Sequence, residues 1–162
     1  MPPRAETASA ADLAAALAVE VFDQHRQLHR LADYRGRNLV VYFYPRDDTP
    51  GCTVEGKEFR DLHDQFLALE CAVVGVSTDS IDSHRAFADK HGLSFTLLAD
   101  TAGALARAFG VLQDGLAQRA TFVLDRDGRV ARSFYEVSPR GHAQQVLNFV
   151  RTMLESHRML GG

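Results

Sequence analysis

The chain has 162 residues, of which 46% are hydrophobic and 24% are charged, and its formal net charge is −3. This length is typical of one domain and is sufficient to bury one core. The nearly balanced charge gives no electrostatic reason to expect nucleic acid or an anionic membrane surface as a partner. No apolar run approaches the length of a membrane-spanning helix, so we expect no membrane partner.

The first 18 residues combine Arg4 with a run of alanine and leucine that superficially resembles a signal peptide. Glu6 and Asp12 interrupt this run, and alanine supplies most of its hydrophobicity, unlike the apolar segment of a secretory signal. We therefore expect residues 1–18 to be a leader or a short helix, and residues 19–162 to form the single domain of a cytoplasmic protein. Two cysteines are too few for a disulfide framework, so we expect them to be reduced at rest or redox-active.

The patterning of the first half predicts a hairpin, two buried strands and one long helix. Residues 19–31 alternate loosely between apolar and polar side chains, which favours a hairpin. Leu39–Tyr44 is a continuous apolar run with β-branched and aromatic residues, typical of a strand buried on both faces. After the loop PRDDTPGC, apolar residues recur with the helical period to about Leu69, and Ala72–Ser77 then predicts a second buried strand.

The second half predicts alternating helices and strands, followed by a hairpin and a last helix. In chain order these are a helix over Ser80–His91 closed by Gly92, a strand over Phe95–Leu98, a short helix over Ala104–Phe109 closed by Gly110, strands over Arg119–Asp125 and Arg129–Tyr135, and a helix that starts at Ser138-Pro139 and runs to about Ser156. The order implies parallel pairings early in the chain and an antiparallel hairpin late. We therefore predict an α/β, thioredoxin-like fold, with a mixed central sheet flanked by helices on both faces.

The segment PRDDTPGC lies between a predicted strand and a predicted helix, at the edge of the sheet where ligands usually bind. Thr49 followed by Pro50 is a helix-start signature, with Thr49 as the N-cap and Pro50 as the first helical residue. Cys52 would then lie in the first turn, near unpaired backbone N–H groups and the positive end of the helix macrodipole. This position favours the thiolate, which is the reactive form of cysteine. Gly51 leaves room for a small substrate to approach the backbone.

These residues resemble the peroxiredoxin signature P-x-x-x-T-x-x-C, matched here by Pro45, Thr49 and Cys52. The wider string YFYPRDDTPGCTVEGKEFRD is similar to the bacterioferritin-comigratory (PrxQ) subfamily. The resemblance continues through VVGVSTDS, FADKHGLSFTLLAD, RATFVLDRDGRV and GHAQQVL, so it covers roughly residues 38–150. Residues 1–37 lack the A-P-D-F phrase that such proteins usually have before this region.

The resemblance implies a thiol-dependent peroxidase that reduces hydrogen peroxide and alkyl hydroperoxides. We expect no metal or other cofactor, because the sequence has no convincing cluster of Cys and His ligands. The resemblance implies that Cys52 attacks the O–O bond and becomes a sulfenic acid. The Thr49 hydroxyl would hydrogen-bond the peroxide and the thiolate, and Arg119 would favour the thiolate and stabilise the charge on the departing oxygen. Pro45 would shield the sulfur from bulk water, and the N–H groups of Gly51 and Cys52 would bind the peroxide oxygens.

Other polar and sulfur-containing side chains give weaker signals. We expect Glu55 at the substrate site, where it would form a charge network with Arg60 behind the sulfur. The alternative is that Glu55 and Arg60 are an exposed pair on the helix. His25 and His29 are four residues apart, but in a predicted hairpin we expect both to be solvated, and no HExxH-type context supports a metal site. Cys71 is the first residue of the apolar run CAVVGVS, so we expect Cys71 to be buried in a strand.

The chain lacks the resolving cysteine that many members of the subfamily keep. Lys57 stands five residues after Cys52, and residues 87–88 of the following helix contain no cysteine. Cys71 matches neither position and would reach Cys52 only after substantial unwinding, because a disulfide needs Cα atoms within about 7 Å. We therefore predict a one-cysteine cycle in which thioredoxin, glutaredoxin or a small thiol reduces the sulfenic acid, with resolution by Cys71 as the alternative.

Two other functions stay open at this point. A thiol–disulfide oxidoreductase normally has Cys-x-x-Cys, whereas here Thr, Val and Glu55 follow Cys52. A redox sensor would use the same activated thiolate without substantial peroxidase turnover. The resemblance also implies a monomer or a weak homodimer.

Overall fold

The computed structural model describes residues 10–159, with side chains described for residues 13–156. The helices, in chain order, are α1 (Ala10–Ala18), α2 (Pro50–Ala68), α3 (Ile81–His91), α4 (Ala104–Ala108) and α5 (His142–Met159). The strands are β1 (Val21–Asp23), β2 (Leu28–His29), β3 (Asn38–Phe43), β4 (Cys71–Ser77), β5 (Thr96–Ala99), β6 (Leu112–Gln113), β7 (Leu116–Ala117), β8 (Ala120–Leu124) and β9 (Val130–Phe134). A 3₁₀ turn, Leu31–Tyr34, lies between β2 and β3.

Seven of these strands form one mixed sheet in the order β2-β1-β5-β4-β3-β8-β9. The strands β3, β4 and β5 are parallel, with helices α2 and α3 as the crossover connections between them. On one side β8 is antiparallel to β3 and β9 is antiparallel to β8, while on the other side the hairpin β1–β2 pairs antiparallel with β5. The predicted mixed sheet, with early parallel pairings and a late hairpin, is therefore confirmed.

The central strand β3 is buried on both faces, as its continuous apolar sequence predicts. Val41 and Phe43 belong to the core that includes residues of α1 and α4, whereas Val40 and Tyr42 belong to the core that includes residues of α2, α3 and α5. The Tyr42 ring stacks on Phe59 of α2, with 4.5 Å between the ring centroids. Burial of each such side chain contributes roughly 1.5–3 kcal/mol. This packing fixes α2 on the sheet, with its first turn next to the loop that follows β3.

The last helix begins later than the Ser138-Pro139 signal predicts. Pro139 lies in a turn, Gly141 has a left-handed φ of 86°, and α5 begins only at His142. The Gly141 amide donates a hydrogen bond to Glu58 Oε1 on α2, at 2.8 Å. This tertiary contact holds the segment before α5 against α2, and so it overrides the local proline signal.

A second difference is the two-stranded hairpin β6–β7, which we did not predict from the sequence. Asp114 and Gly115 form its turn, both with positive φ, of 52° and 78°. An Asp-Gly pair is among the strongest short signals for a two-residue hairpin turn, so a sequence signal was present. The flanking strands are only two residues long, and their apolar pattern is too short to be recognised.

The N-terminal region contains a helix and the predicted hairpin. Within the segment 1–18, Ala10–Ala18 form α1, and residues 1–9 lie outside the described part of the chain. In the hairpin His25 is exposed, but His29 is not solvated as predicted: its Nε2 lies 2.6 Å from Oδ2 of the buried Asp23. None of the helices between residues 10 and 159 is long and apolar enough to cross a membrane.

Candidate active site

Helix α2 begins where the sequence predicts. Thr49 has an extended backbone, with φ −88° and ψ 155°, and Pro50 is the first helical residue. The Thr49 hydroxyl does not cap the helix, because it donates instead to the Arg46 carbonyl oxygen at 2.8 Å. Among the described residues, no group accepts a hydrogen bond from the backbone N–H of Gly51 or Cys52. Two donors of the first helical turn are therefore available to an incoming oxygen atom.

Cys52 lies in this turn with only 2% of its surface exposed. The Nη2 atom of Arg119 donates a charge-assisted hydrogen bond to Cys52 Sγ at 3.3 Å. Arg119 directly precedes β8, and Ala120 of β8 pairs with Phe43 at the end of β3. The antiparallel pairing of these strands therefore brings together a thiol and a guanidinium that are 67 positions apart in sequence.

Glu55 binds the other side of the same guanidinium. Its Oε1 lies 2.6 Å from Arg119 Nη1, and its side chain is fully buried. Burial raises the pKa of Glu55 from 4.5 to about 7, even though the charge of Arg119 and its hydrogen bond act to lower it. The charge network behind the sulfur is Glu55–Arg119–Cys52, in which one cation lies between a carboxyl and a thiol.

Arg60 does not belong to this network, contrary to our expectation. Its guanidinium donates to the His91 carbonyl oxygen at 2.7 Å and pairs with Asp61. Arg60 is five positions after Glu55, so on a helix the two side chains point in different directions. Arg60 therefore ties α2 to the end of α3.

Gly51 is close to Arg119, and this contact differs from the role that we predicted. A Cβ atom at Gly51 would lie 3.2 Å from Arg119 Nη2 and 3.3 Å from Pro139 Cγ. Arg119 and Pro139 therefore occupy the space on the Cβ side of Gly51, whereas its N–H group points elsewhere and has no acceptor among the described residues. The missing side chain allows the guanidinium to reach Cys52 Sγ. Pro45, where the loop leaves β3, is half-buried.

Comparison with known proteins identifies the family. Residues 10–133, which include Cys52 and Arg119, match the AhpC/TSA family. Peroxiredoxin Bcp of Bacillus subtilis is 38% identical over 145 residues, covering 85% of this chain and 92% of the relative. The chain is a peroxiredoxin of the AhpC/TSA family. Chloroplastic peroxiredoxin Q of Sedum lineare is 38% identical over 135 residues, covering 81% of this chain and 73% of the relative.

Solved structures show the same fold. Bacterioferritin comigratory protein of Xanthomonas campestris superposes with a TM-score of 0.84 at 35% identity, covering 87% of this chain and 95% of the other. The predicted thioredoxin-like fold of this peroxiredoxin is therefore confirmed. Its family membership shows that it is a thiol peroxidase, which uses a peroxide as substrate and a thiol as reductant.

The second cysteine of the peroxiredoxin lies at the other end of α2. Cys71 opens β4 and is paired in register with Asn38 at the start of β3. Cys52 is the third residue of α2, a helix of 19 residues. At 1.5 Å per residue, the helix separates Cys52 from Cys71 by roughly 25 Å. Burial raises the pKa of Cys71 to about 12, so its thiol stays protonated at neutral pH.

Two buried polar residues beside the site were not singled out from the sequence. Asp47 lies in the loop between β3 and α2, and His84 lies on the buried face of α3. Asp47 Oδ2 and His84 Nδ1 are 2.7 Å apart. His84 is three residues before the buried Phe87 and therefore shares its helical face. This spacing could have predicted that His84 is buried.

Proposed function

We propose that Cys52 is the thiol that reduces the peroxide. The observation that supports this most strongly is the position of its sulfur at a helix start, 3.3 Å from the Arg119 guanidinium. The positive charge and the unpaired N–H groups of the first turn favour a thiolate at this position. Cys71, which is buried in a strand and has a raised pKa, has neither feature.

In the first half-reaction, the Cys52 thiolate attacks the terminal oxygen of a hydroperoxide. The S–O bond forms as the O–O bond breaks, which gives a sulfenic acid on Cys52 and an alkoxide or hydroxide that takes up a proton. Sulfur is oxidised by two electrons and the peroxide is reduced by two. Arg119 stabilises the negative charge that develops on the departing oxygen, because it lies next to the sulfur in a site largely closed to water.

The neighbouring groups orient the peroxide. Because the Thr49 hydroxyl gives its hydrogen to the Arg46 carbonyl, its oxygen remains free to accept a hydrogen bond from the peroxide O–H. The N–H groups of Gly51 and Cys52 supply donors to the peroxide oxygens. Pro45 restricts the access of bulk water, and Glu55 holds the second edge of the Arg119 guanidinium.

In the second half-reaction, an external thiol attacks the sulfenic acid. This step forms a mixed disulfide on Cys52 and releases water; a second thiol then releases Cys52 as a thiol and leaves a disulfide on the reductant. The roughly 25 Å between the two cysteines supports this one-cysteine cycle, because a disulfide needs Cα atoms within about 7 Å. Resolution by Cys71 would require most of α2 to unfold.

The substrates in this proposal are hydrogen peroxide and alkyl hydroperoxides, and the reductant is thioredoxin, glutaredoxin or a small thiol. Alkyl peroxide reduction is an activity of the structurally similar Xanthomonas campestris protein. Two cysteines are too few for a disulfide framework, which fits a cytoplasmic protein. We expect the protein to act as a monomer or a weak homodimer.

Intact mass spectrometry after one equivalent of peroxide tests the proposal. A gain of about 16 Da in the wild type indicates a sulfenic acid, whereas a loss of about 2 Da indicates a Cys52–Cys71 disulfide. The matched variant Cys71→Ser should show the same gain and keep most peroxidase activity with an external thiol, whereas Cys52→Ser should show neither. Activity in Cys52→Ser would contradict the role of Cys52. Near-complete loss of activity in Cys71→Ser would contradict the one-cysteine cycle.

A further inference from the structure

The loop that joins β3 to α2 is bound to α3 through a buried aspartate and a buried histidine. Asp47 Oδ2 lies 2.7 Å from His84 Nδ1, and the two side chains are 4% and 0% exposed. Asp47 also accepts hydrogen bonds from the Tyr44 hydroxyl at 2.6 Å and from the Ser83 hydroxyl at 2.8 Å. The carboxyl group therefore has several partners in the protein interior, as a buried acid requires.

The second ring nitrogen of His84 connects this contact to the central sheet. Nε2 lies 2.9 Å from the carbonyl oxygen of Leu98 in β5. A carbonyl oxygen only accepts hydrogen bonds, so Nε2 must carry a hydrogen. Nδ1 then faces the Asp47 carboxyl group. His84 thus holds the loop with one nitrogen and the sheet with the other.

Three further contacts hold the same loop. The Asp47 amide donates to Asp79 Oδ2 at 2.8 Å. Asp48 has a left-handed φ of 58°, which aspartate adopts more readily than most residues, and its carboxylate lies 2.8 Å from Lys90 Nζ and 3.0 Å from His91 Nε2. The Asp48 and Lys90 side chains are 46% and 60% exposed, so solvent screens this outer pair. The buried Asp47–His84 pair therefore holds the loop more strongly than the exposed Asp48–Lys90 pair.

We propose that His84 is a positioning residue for the reaction of Cys52 with peroxide. His84 holds Asp47, which is two residues before the helix start at Thr49, and Cys52 lies in the turn that follows. Movement of this loop shifts Cys52 relative to Arg119, which β8 holds in place. A displacement of about 1 Å is sufficient to slow a reaction by about 100-fold. This inference rests on the proposed role of Cys52.

Two matched substitutions separate positioning from general stability. In His84→Asn the amide nitrogen takes the place of Nδ1 and keeps a donor toward Asp47, whereas in His84→Gln it takes the place of Nε2 and keeps only the donor toward Leu98. We expect His84→Gln to lower the second-order rate constant of Cys52 oxidation at least about tenfold, and His84→Asn to lower it less than about threefold. Because the chain contains no tryptophan, hydrogen peroxide and a competing haem peroxidase provide the readout.

The control substitution is in the exposed Asp48–Lys90 pair, which holds the same loop from outside. Lys90→Gln should change the rate constant by less than about twofold. Equal losses in the two His84 variants, or losses below about threefold in both, would overturn the positioning role. If His84→Gln does not fold, Tyr44→Phe removes one hydroxyl donor to Asp47; we then expect a loss of about threefold, and an unchanged rate constant would overturn the proposal.

The Cys52→Ser variant distinguishes this inference from the function on which it rests. Peroxide consumption by Cys52→Ser contradicts the proposed function itself. Loss of activity in Cys52→Ser, together with full rate constants in both His84 variants, contradicts only the positioning role.

Discussion

Replacement of Glu55 by glutamine removes a buried carboxyl that titrates near neutral pH. The side chain is fully buried and makes a 2.6 Å contact with Arg119, which the carbonyl oxygen of glutamine can also accept. Burial raises the pKa of Glu55 from 4.5 to about 7, although Arg119 opposes this effect. We therefore expect the ionisation of Glu55 to make the free energy of unfolding of the wild type depend on pH. The Glu55→Gln variant should lack this contribution.

The sign of this change follows from proton binding. In the unfolded chain Glu55 ionises near pH 4.5, whereas in the folded protein it keeps its proton up to about pH 7. Between these values the folded state binds more protons, so stability is lost as pH rises. The full effect is about 3 kcal/mol at 1.36 kcal/mol per pKa unit. About 2 kcal/mol of it falls between about pH 5 and about pH 7.5.

Urea unfolding at these two pH values, followed by circular dichroism, measures this effect. The free energy of unfolding of the wild type should fall by about 2 kcal/mol more than that of Glu55→Gln between the two conditions. Other titrating groups are common to both proteins, so their contributions cancel in the difference. Parallel pH profiles for the two proteins would show that Glu55 does not titrate near neutral pH, and that burial does not raise its pKa as far as we expect.

Three further substitutions test the packing around Cys52. Gly51→Ala places a Cβ 3.2 Å from Arg119 Nη2, so stopped-flow measurements should show a rate constant for peroxide lowered about tenfold. Arg119→Lys cannot bind both Cys52 Sγ and Glu55 Oε1 with one planar group, and it should lower the same rate constant about 100-fold. Gly56→Ala adds a Cβ to α2 at 3.5 Å from a methyl group of Leu93, which is an ordinary van der Waals distance, and it should raise the free energy of unfolding by about 0.5–1 kcal/mol in urea.

Local sequence signals predicted the parts of the site that depend on neighbouring residues. The Thr49-Pro50 pair sets the start of α2, and it places Cys52 in the first turn, as the sequence indicates. The continuous apolar run before the loop likewise predicted the buried strand β3. These features are encoded by the hydrophobic period and by the preference of proline for the first helical position, which act over a few residues.

Contacts between residues that are distant in sequence could not be predicted from local sequence patterns. The Arg119–Cys52 contact depends on the register of β8 against β3, and only the family resemblance pointed to it. The start of α5 depends on the contact between Gly141 and Glu58, which no local pattern contains. The position of Gly51 beneath a guanidinium was also invisible, because glycine gives the same signal for open space and for close packing.

Cys52 and Cys71 lie at opposite ends of α2, and this separation is compatible with a loop before α2 that is held by the buried Asp47–His84 contact. Resolution within the chain would require the first turn to leave its place, but in the proposed one-cysteine cycle Cys52 stays in the folded turn throughout. A fixed loop is then no obstacle to turnover, and in our proposal the Asp47–His84 contact holds Cys52 beside Arg119 in each half-reaction. In this proposed cycle the thiol of the reductant must reach Cys52, of which only 2% is exposed.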